Sequence, residues 1–455
     1  MINLSEIETF KTFKEASSQL EDKELRFDVD NRLINTDSVF IAIVGAKYNP
    51  LSHLDRVVTS GCKYIVYDQA DSDLVSAYED KLCFILVSDI EEFIQEAATH
   101  VARLFRAKNG QIIAISGSNG KTTTKEMLTF LLTEVVGEQK VISTQKNNNN
   151  HLGVPFTLFQ IRPETEFAVV ELGSNHPGEI EHLCQILNPQ YGITTNIGDT
   201  HLEFFGDKEN VFKEESVLYK YCSEKFYINE DDDFLKKIKK TKKRIGFGYM
   251  ADDYTFYNLE GGIQVTEVEL YNTHITGKHN FYNLAVAFLI ATQLIKNSKT
   301  ALKEAAKKFR PTQNRSQWIK NKHQDIFLDA YNANPTSMKV AIEGFLDHIA
   351  PIGAKKNEIC FILGDMNELG KDSEKLHRDI AKFVSEKEVD LVIFVGRFAQ
   401  IYAENYQGNH KCFEKVDILL EQMQQDLLKY KYLFIKGSRS VVLEKISQEH
   451  PIVNR

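Results

Sequence analysis

Ile115-Ser-Gly-Ser-Asn-Gly-Lys-Thr-Thr-Thr124 stands between an apolar run, Gln111 to Ile115, and a helical pattern that opens Lys125-Glu-Met-Leu-Thr-Phe-Leu-Leu132. The apolar run reads as a buried strand, so the quoted stretch is a strand-to-helix turn. A glycine-containing turn of this kind aims backbone N–H groups and a helix N-terminus at one spot, which suits polyphosphate. Gly117, Ser118, Asn119, Gly120 and Thr123 would then surround the phosphates. Lys121 would reach the terminal ones, and the Thr122 hydroxyl would ligate Mg²⁺. The match is partial. The common pattern wants a glycine where Ile115 stands, and the only other glycine in the turn is Gly117. A bare Gly-Lys-Thr is also compatible with a simple threonine-capped helix. The flanking strand and helix favour phosphate, and hence a nucleoside triphosphate.

The rest of the chain alternates apolar strand-like runs with helical patterns, which predicts an α/β architecture with mainly parallel sheets. At about 100–200 residues per domain, 455 residues suggest two to four domains. The first region, 1–108, contains Val39-Phe-Ile-Ala-Ile-Val44, Lys63-Tyr-Ile-Val-Tyr67 and Leu82-Cys-Phe-Ile-Leu-Val87, then a helical stretch from Glu91. Asn109-Gly110 marks a break. The second region, 109–310, holds the phosphate turn, strands Phe167–Leu172 and Tyr191–Asn196, a β-rich stretch from Lys243 to Thr276 and a helix from Asn280 to Ile295. Arg310-Pro311 reads as a linker. The third region, 311–455, has strands Asp325–Asp329, Ile359–Leu363, Leu391–Val395 and Tyr432–Ile435, the pattern of a small doubly wound domain.

Composition bounds the rest. The chain is 42% hydrophobic and 26% charged, ordinary for a globular protein. A net charge of −9 argues against a general nucleic-acid binder. The basic run Lys236-Lys-Ile-Lys-Lys-Thr-Lys-Lys-Arg244 follows Glu230-Asp-Asp-Asp233, so a solvated helix end with self-neutralising charge is expected there. Six scattered cysteines without a CxxC pair suggest unpaired thiols in a reducing compartment. The chain shows no signal-peptide pattern and no stretch of about 18 apolar residues, so a cytoplasmic location without a membrane span is expected. A monomer is the default expectation.

Further polar clusters fall at strand ends. Glu171 closes a strand and starts Glu-Leu-Gly-Ser-Asn-His-Pro-Gly-Glu179; His201 follows the next strand in His-Leu-Glu-Phe-Phe-Gly206. In a parallel sheet both emerge on the edge that carries the phosphate turn. Mg²⁺ takes oxygen ligands, so Glu171 fits, while His201 is a less usual ligand. A surface ion pair for Glu171 and a hydrogen-bonded loop histidine remain the bland alternatives. Asn280 and Asn283 share a helix face and could meet an adenine edge or simply cap. Asn147-Asn-Asn-Asn150 with His151 suits a sugar or peptide ligand, or a turn-rich loop.

Taken in order, these motifs resemble the Mur ligase family of peptidoglycan synthesis. The resemblance rests on Gly117–Thr123, Asn148–Pro155, Glu171–Ile180, His201–Gly206, Gly277-Lys-His-Asn-Phe-Tyr-Asn283, Asp329-Ala-Tyr-Asn-Ala-Asn-Pro335, Leu363-Gly-Asp-Met-Asn-Glu-Leu-Gly370 and Lys436-Gly-Ser-Arg439. The phosphate turn lacking its first glycine is that family's own form. The resemblance implies three domains: one gripping UDP, a central ATPase and a C-terminal Rossmann-like domain. The Tyr-Asn-Ala-Asn and Gly-Asp-Met-x-Glu-Leu-Gly signatures are similar to those of the members that join D-alanyl-D-alanine to UDP-N-acetylmuramoyl-tripeptide, using ATP and Mg²⁺. A related Mur or folylpolyglutamate-type ligase with another amine acceptor, and a catalytically dead nucleotide-binding protein, are the competing readings.

Carried over by position, Thr122, Glu171 and His201 would hold metal. Asn280, Asn283, Arg315 and Asp329 would meet the nucleotide. Asn31 and Arg32, in Asp30-Asn-Arg32, resemble the uridine-side motif. Asn148, Asn149, His151, Asn332 and Asn334 would line the substrate path, with Asp365, Lys436 and Ser438 on the D-alanyl-D-alanine side. Lys121 and His201 would act in catalysis. One position departs from the family. Relatives carry a carbamylated lysine where Val211-Phe-Lys-Glu-Glu-Ser216 puts Glu215, and Lys213 is about 200° around the helix from it. Glu215 is therefore expected to supply the missing negative charge, directly or through water.

Overall fold

The computed structural model describes residues 25–45, 48–68, 75–320 and 323–448. The first 24 residues of the expected N-terminal region thus lie outside the described residues. Three sheets account for the strands. The first is four-stranded and all parallel, in the order β1 (Arg26–Asp28), β2 (Ser38–Ile41), β3 (Tyr64–Tyr67), β4 (Cys83–Leu86). β1 has only three residues, too short for its alternation to show in sequence.

The second sheet has nine strands. Along the chain they are β5 (Gln111–Ser116), β6 (Val141–Ser143), β7 (Phe167–Glu171), β8 (Tyr191–Thr194), β9 (Lys225–Asn229), β10 (Arg244–Gly248), β11 (Tyr254–Leu259), β12 (Gly262–Val265) and β13 (Val268–Tyr271). Their spatial order is β13-β12-β11-β10-β9-β8-β5-β7-β6. The phosphate-turn strand β5 lies between β7 and β8, parallel to both. The apolar faces of β5 are covered by different elements. Ile113 and Ile115 pack with the helices Lys121–Val136 and Lys278–Leu294. Ile112 and Ala114 pack towards the helix Ile90–Ala107. That helix starts at an Asp89 cap, whose carboxylate accepts from Glu91 and Glu92 N–H. Its buried side joins one hydrophobic core shared by the first two sheets. The helix so fixes one region against the next, although its residues precede the Asn109-Gly110 break.

The third sheet runs β14 (Gln317–Lys320), β15 (Asp325–Asp329), then β19 (Tyr432–Lys436), β16 (Ile359–Gly364), β17 (Leu391–Val395) and β18 (His410–Phe413). Only β14 is antiparallel to its neighbour. Side chains alternate across this sheet. Phe327, Phe361, Phe394 and Phe434 face one core with Phe345, while Ile326, Leu328, Ile362, Ile393 and Ile435 face the other. Both faces are covered, which explains why these strands read as unbroken apolar runs.

The basic run forms no helix end. Leu235–Lys237 is a single tight turn, and β10 begins at Arg244. Lys236 pairs with Asp233, Lys240 with Asp252 at 2.7 Å, and the buried Arg244 with Glu230 at 2.7 Å. Asp231 and Asp232 instead accept backbone N–H groups of Tyr249 and Ile197, tying loops together. The charges are therefore largely neutralised locally. All six cysteines are free. Among the described residues no helix is long and apolar enough to cross a membrane.

A candidate active site between the phosphate loop and the third sheet

The carboxyl ends of β5, β7 and β8 open onto a cleft of about 710 Å³ whose far wall is the third sheet. The loop after β5 enters it under tight constraint. Gly117 has φ +119 and presses on the next strand's exit, where a Cβ would lie 2.2 Å from Thr195 Oγ1. Gly120 has φ +82 and faces Asn283, whose Oδ1 would be 2.9 Å from an added Cβ. Only glycine accommodates both the backbone twist and the approach. Thr195 Oγ1 and Asn196 Nδ2 donate to Asn119 O at 2.7 and 2.8 Å, and Ser118 N donates to Asn196 O at 2.9 Å. The Lys121 ammonium folds back onto Gly117 O. Ser118, Asn119, Gly120, Lys121, Thr122 and Thr123 all line the cleft.

Glu171 is the last residue of β7 and is 3% exposed. Its Oε1 accepts from Asn149 Nδ2 at 2.9 Å, while Oε2 is buried without a partner. A buried, unpartnered carboxylate oxygen beside a phosphate-binding loop is a fitting ligand for a hard cation. Thr122, also buried at the cleft, supplies a second oxygen. Among the described residues no three His, Cys, Asp or Glu side chains gather as a metal centre. A cation here would therefore complete its shell with phosphate and water, the habit of Mg²⁺.

His201 adopts φ +51 at the start of the short helix Leu202–Phe205 and turns towards the third domain. Its Nδ1 lies 2.7 Å from Glu368 Oε2, close enough for an ion pair but off the hydrogen-bond axis. His201 beside Glu368 holds that carboxyl below the usual carboxylate range. Glu368 belongs to the Leu363–Gly370 motif, but nothing local marked it as the partner of a residue far away in sequence. Asn334 adds a second bridge. It caps the helix Pro335–Ile349 and donates from Nδ2 to Asn119 Oδ1 at 2.7 Å. Trp318 on β14 adds a third, donating to Thr276 Oγ1 at 2.6 Å.

The remaining residues expected on the nucleotide side gather here. Asn280 and Asn283 line the cleft, with Asn280 Nδ2 donating back to Thr276 O at 2.8 Å. Next to them His279, unmarked by sequence reasoning, also lines the cleft, and burial pushes its imidazole down to about 4. Asp329 accepts from Lys436 Nζ at 2.6 Å and from Ser316 N at 3.3 Å. Lys436 also donates to Asn332 O. The Arg315 guanidinium lies 3.8 Å over the Tyr331 ring.

Three expectations change, those for Glu215, Asp365 and Asn148. Glu215 does not line the cleft. It is buried beneath the loop, where Oε2 accepts from Gly117 N at 2.7 Å and its backbone O receives the Ser116 and Thr194 hydroxyls. It braces the phosphate loop from below. Asp365 does not face the cleft either; its carboxylate accepts from Arg397 and Phe398 N–H at 2.7 and 2.9 Å. Asn148 lies behind the Asn loop, its backbone packed against Gly153, whereas Asn149 and His151 line the cleft. Asn31 and Arg32 sit on the first sheet's edge, away from this cleft, bonded to Tyr48 and Asp30. Ser438 lines the cleft and accepts from Asn367 N.

A parallel-sheet phosphate site with a doubly wound domain closed over it defines a nucleotide-dependent α/β enzyme. Residues 115–291 match the Mur ligase middle domain, and residues 314–439 match the Mur ligase, glutamate ligase domain. The chain belongs to the Mur ligase family. Two curated relatives, from Bacillus subtilis and Haemophilus influenzae, are each named UDP-N-acetylmuramoyl-tripeptide–D-alanyl-D-alanine ligase. The first is 29% identical over 447 residues, covering 92% of both chains; the second is 27% identical, covering 98% of this chain and 96% of its own. Among solved structures, MurF from Acinetobacter baumannii superposes with a TM-score of 0.78 at 25% identity, over 93% of this chain and 92% of that one. MurF from Thermotoga maritima in complex with ADP shares the fold, with a TM-score of 0.75 at 22% identity over 93% and 96% of the chains.

Proposed function

We propose that this enzyme joins D-alanyl-D-alanine to the terminal carboxylate of UDP-N-acetylmuramoyl-tripeptide at the expense of ATP, in peptidoglycan precursor synthesis. One observation carries the reading. The phosphate loop and the segments Asp329–Asn334 and Lys436–Arg439 line a single cleft, so a nucleotide and an amine acceptor meet at one point.

A carboxylate is a poor electrophile. One of its oxygens attacks the γ-phosphorus, the bond to the β-phosphate oxygen breaks, and ADP leaves. The dipeptide amine then attacks the acyl phosphate, and the tetrahedral intermediate collapses to an amide and inorganic phosphate. Carboxylate and triphosphate are both anionic, so the chain must neutralise them as they meet. Lys121 does this at the terminal phosphates. Thr122 and Glu171 hold Mg²⁺, which supplies further charge neutralisation when bound. Asn280 and Asn283 receive the base, while Asp329 and Arg315 approach the nucleotide from the third domain. Asn149 and His151 line the path of the muramoyl peptide, and Asn31 and Arg32 reach the uridine. His201 and Glu368 close the third domain over the loop. ATP and a UDP-linked substrate fit a cytoplasmic location, and one chain supplies the residues lining the cleft, as a monomer would.

Phosphate release from ATP is the test. It should require both UDP-N-acetylmuramoyl-tripeptide and D-alanyl-D-alanine. Release supported by a single amino acid or glutamate in place of the dipeptide would overturn the reading.

A further inference from the structure

Several cations face the cleft, and most have a stated task. Lys121 is folded on the phosphate loop. Lys436 is buried against Asp329 and Asn332 O. Arg315 lies beside the Ser316–Asp329 contact on the nucleotide side. Lys146 is on the opposite wall, at the head of the Asn-rich loop. Arg439 is different. Like Lys146 it is exposed and has no carboxylate paired with it among the described residues, but it stands on the third-domain wall, on the segment after β19. Its guanidinium instead lies 5.3 Å over the face of Tyr331, the ring that Arg315 covers at 3.8 Å. Its neighbours are hydroxyls already ordered by Asn367. Asn367 N donates to Ser438 Oγ at 3.0 Å, and Asn367 Nδ2 donates to Ser440 Oγ at 2.8 Å.

The acceptor dipeptide carries one charge that the reaction does not consume, its terminal carboxylate. Moving a carboxylate from water into a cleft is costly unless a cation receives it. A guanidinium offers two parallel donors that fit both oxygens, and stacking on an aromatic ring fixes the plane of that fork. On this side of the cleft Lys436 is already neutralised by Asp329, and Asp365 is turned away onto the Arg397 N–H.

We propose that Arg439, placed over the Tyr331 ring, receives the C-terminal carboxylate of the incoming dipeptide and so determines acceptor specificity. This rests on the proposed function. The test compares D-alanyl-D-alanine with its C-terminal amide on the full-length enzyme, in wild type, Arg439→Met and Arg439→Lys. A charge-assisted contact of this kind is worth about tenfold to a hundredfold in affinity. Wild type should show a KM for the amide higher by that factor. Arg439→Met should raise the KM for the dipeptide to the amide's level, leave the amide's KM within about twofold, and leave the KM for ATP unchanged. Arg439→Lys should recover part of the loss. Equal losses on dipeptide and amide, a raised KM for ATP, or an unchanged KM for the dipeptide would each overturn the assignment. A wild type that releases no phosphate with the dipeptide would overturn the functional reading, and this assignment with it.

Discussion

At the scale of single residues, the buried carboxylate of Glu215 separates two kinds of role. As a brace it needs only an acceptor for Gly117 N–H, which glutamine retains. As a source of charge it needs the anion. Glu215→Gln should therefore keep kcat/KM for ATP within about tenfold, whereas Glu215→Ala should lose about tenfold to a hundredfold, the worth of a hydrogen bond to a charged group. Equal losses in the two variants, measured by steady-state kinetics, would make charge the operative property. His279 yields a second prediction. Its folded pKa, about 4, lies below the usual 6.5. The unfolded chain thus binds a proton that the folded chain refuses between those values. Stability from this residue is complete above about pH 6.5 and is lost as pH falls towards 4. Thermal melts at pH 7 and pH 5 should show a larger drop for wild type than for His279→Gln.

At the scale of elements, the third sheet depends on its phenylalanine face. Phe434 on β19 stacks on Phe327 at 5.5 Å and meets Phe361 at 5.0 Å, all three fully buried. Phe434→Ala should destabilise this domain by about 3–5 kcal/mol, read as a lowered denaturation midpoint. Strands of this kind were legible in the sequence because both faces are buried and the runs are long. β15, β16, β17 and β19 match the expected runs closely. β1, β6, β9 and β18 were not foreseen. β1, β6 and β18, three or four residues each, lie at sheet edges and take strand form against a neighbouring strand, a cause absent from local composition, while β9 is held between β8 and β10. The basic run failed as a helix end for the same reason. Its acidic neighbours were drawn to backbone N–H groups of distant loops.

At the scale of the whole molecule, closure rests on a handful of polar contacts, among them His201 with Glu368, Asn334 with Asn119, Thr336 with Asp199, and Trp318 with Thr276. Trp318 is the chain's single tryptophan, so its fluorescence reports directly on this junction. Glu368→Ala should leave the individual domains folded and shift that fluorescence. It should also lower kcat more than it raises the KM for ATP, since the loop itself is untouched. Acid should act in the same direction. The Glu368 carboxyl is held low by His201, so the contact is present above the normal carboxylate range and lost as pH falls through the depressed value. An emission spectrum indifferent to both changes would count against closure through this pair.

The order of residues specified the phosphate loop, the sheet class and the family, because these depend on short-range pattern: a strand, a glycine turn and a helix in sequence. It also marked Glu171, Asn283 and Asp329 as polar groups at strand and helix ends. Folding added the pairings. Glu215 proved to support Gly117, Asp365 to support the turn at Arg397, and Glu368 to meet His201. Each is a contact between residues distant in the chain, made where two sheets or a loop and a helix converge. A carboxylate's role is set by which donors surround it, and those donors come together only when the chain has packed.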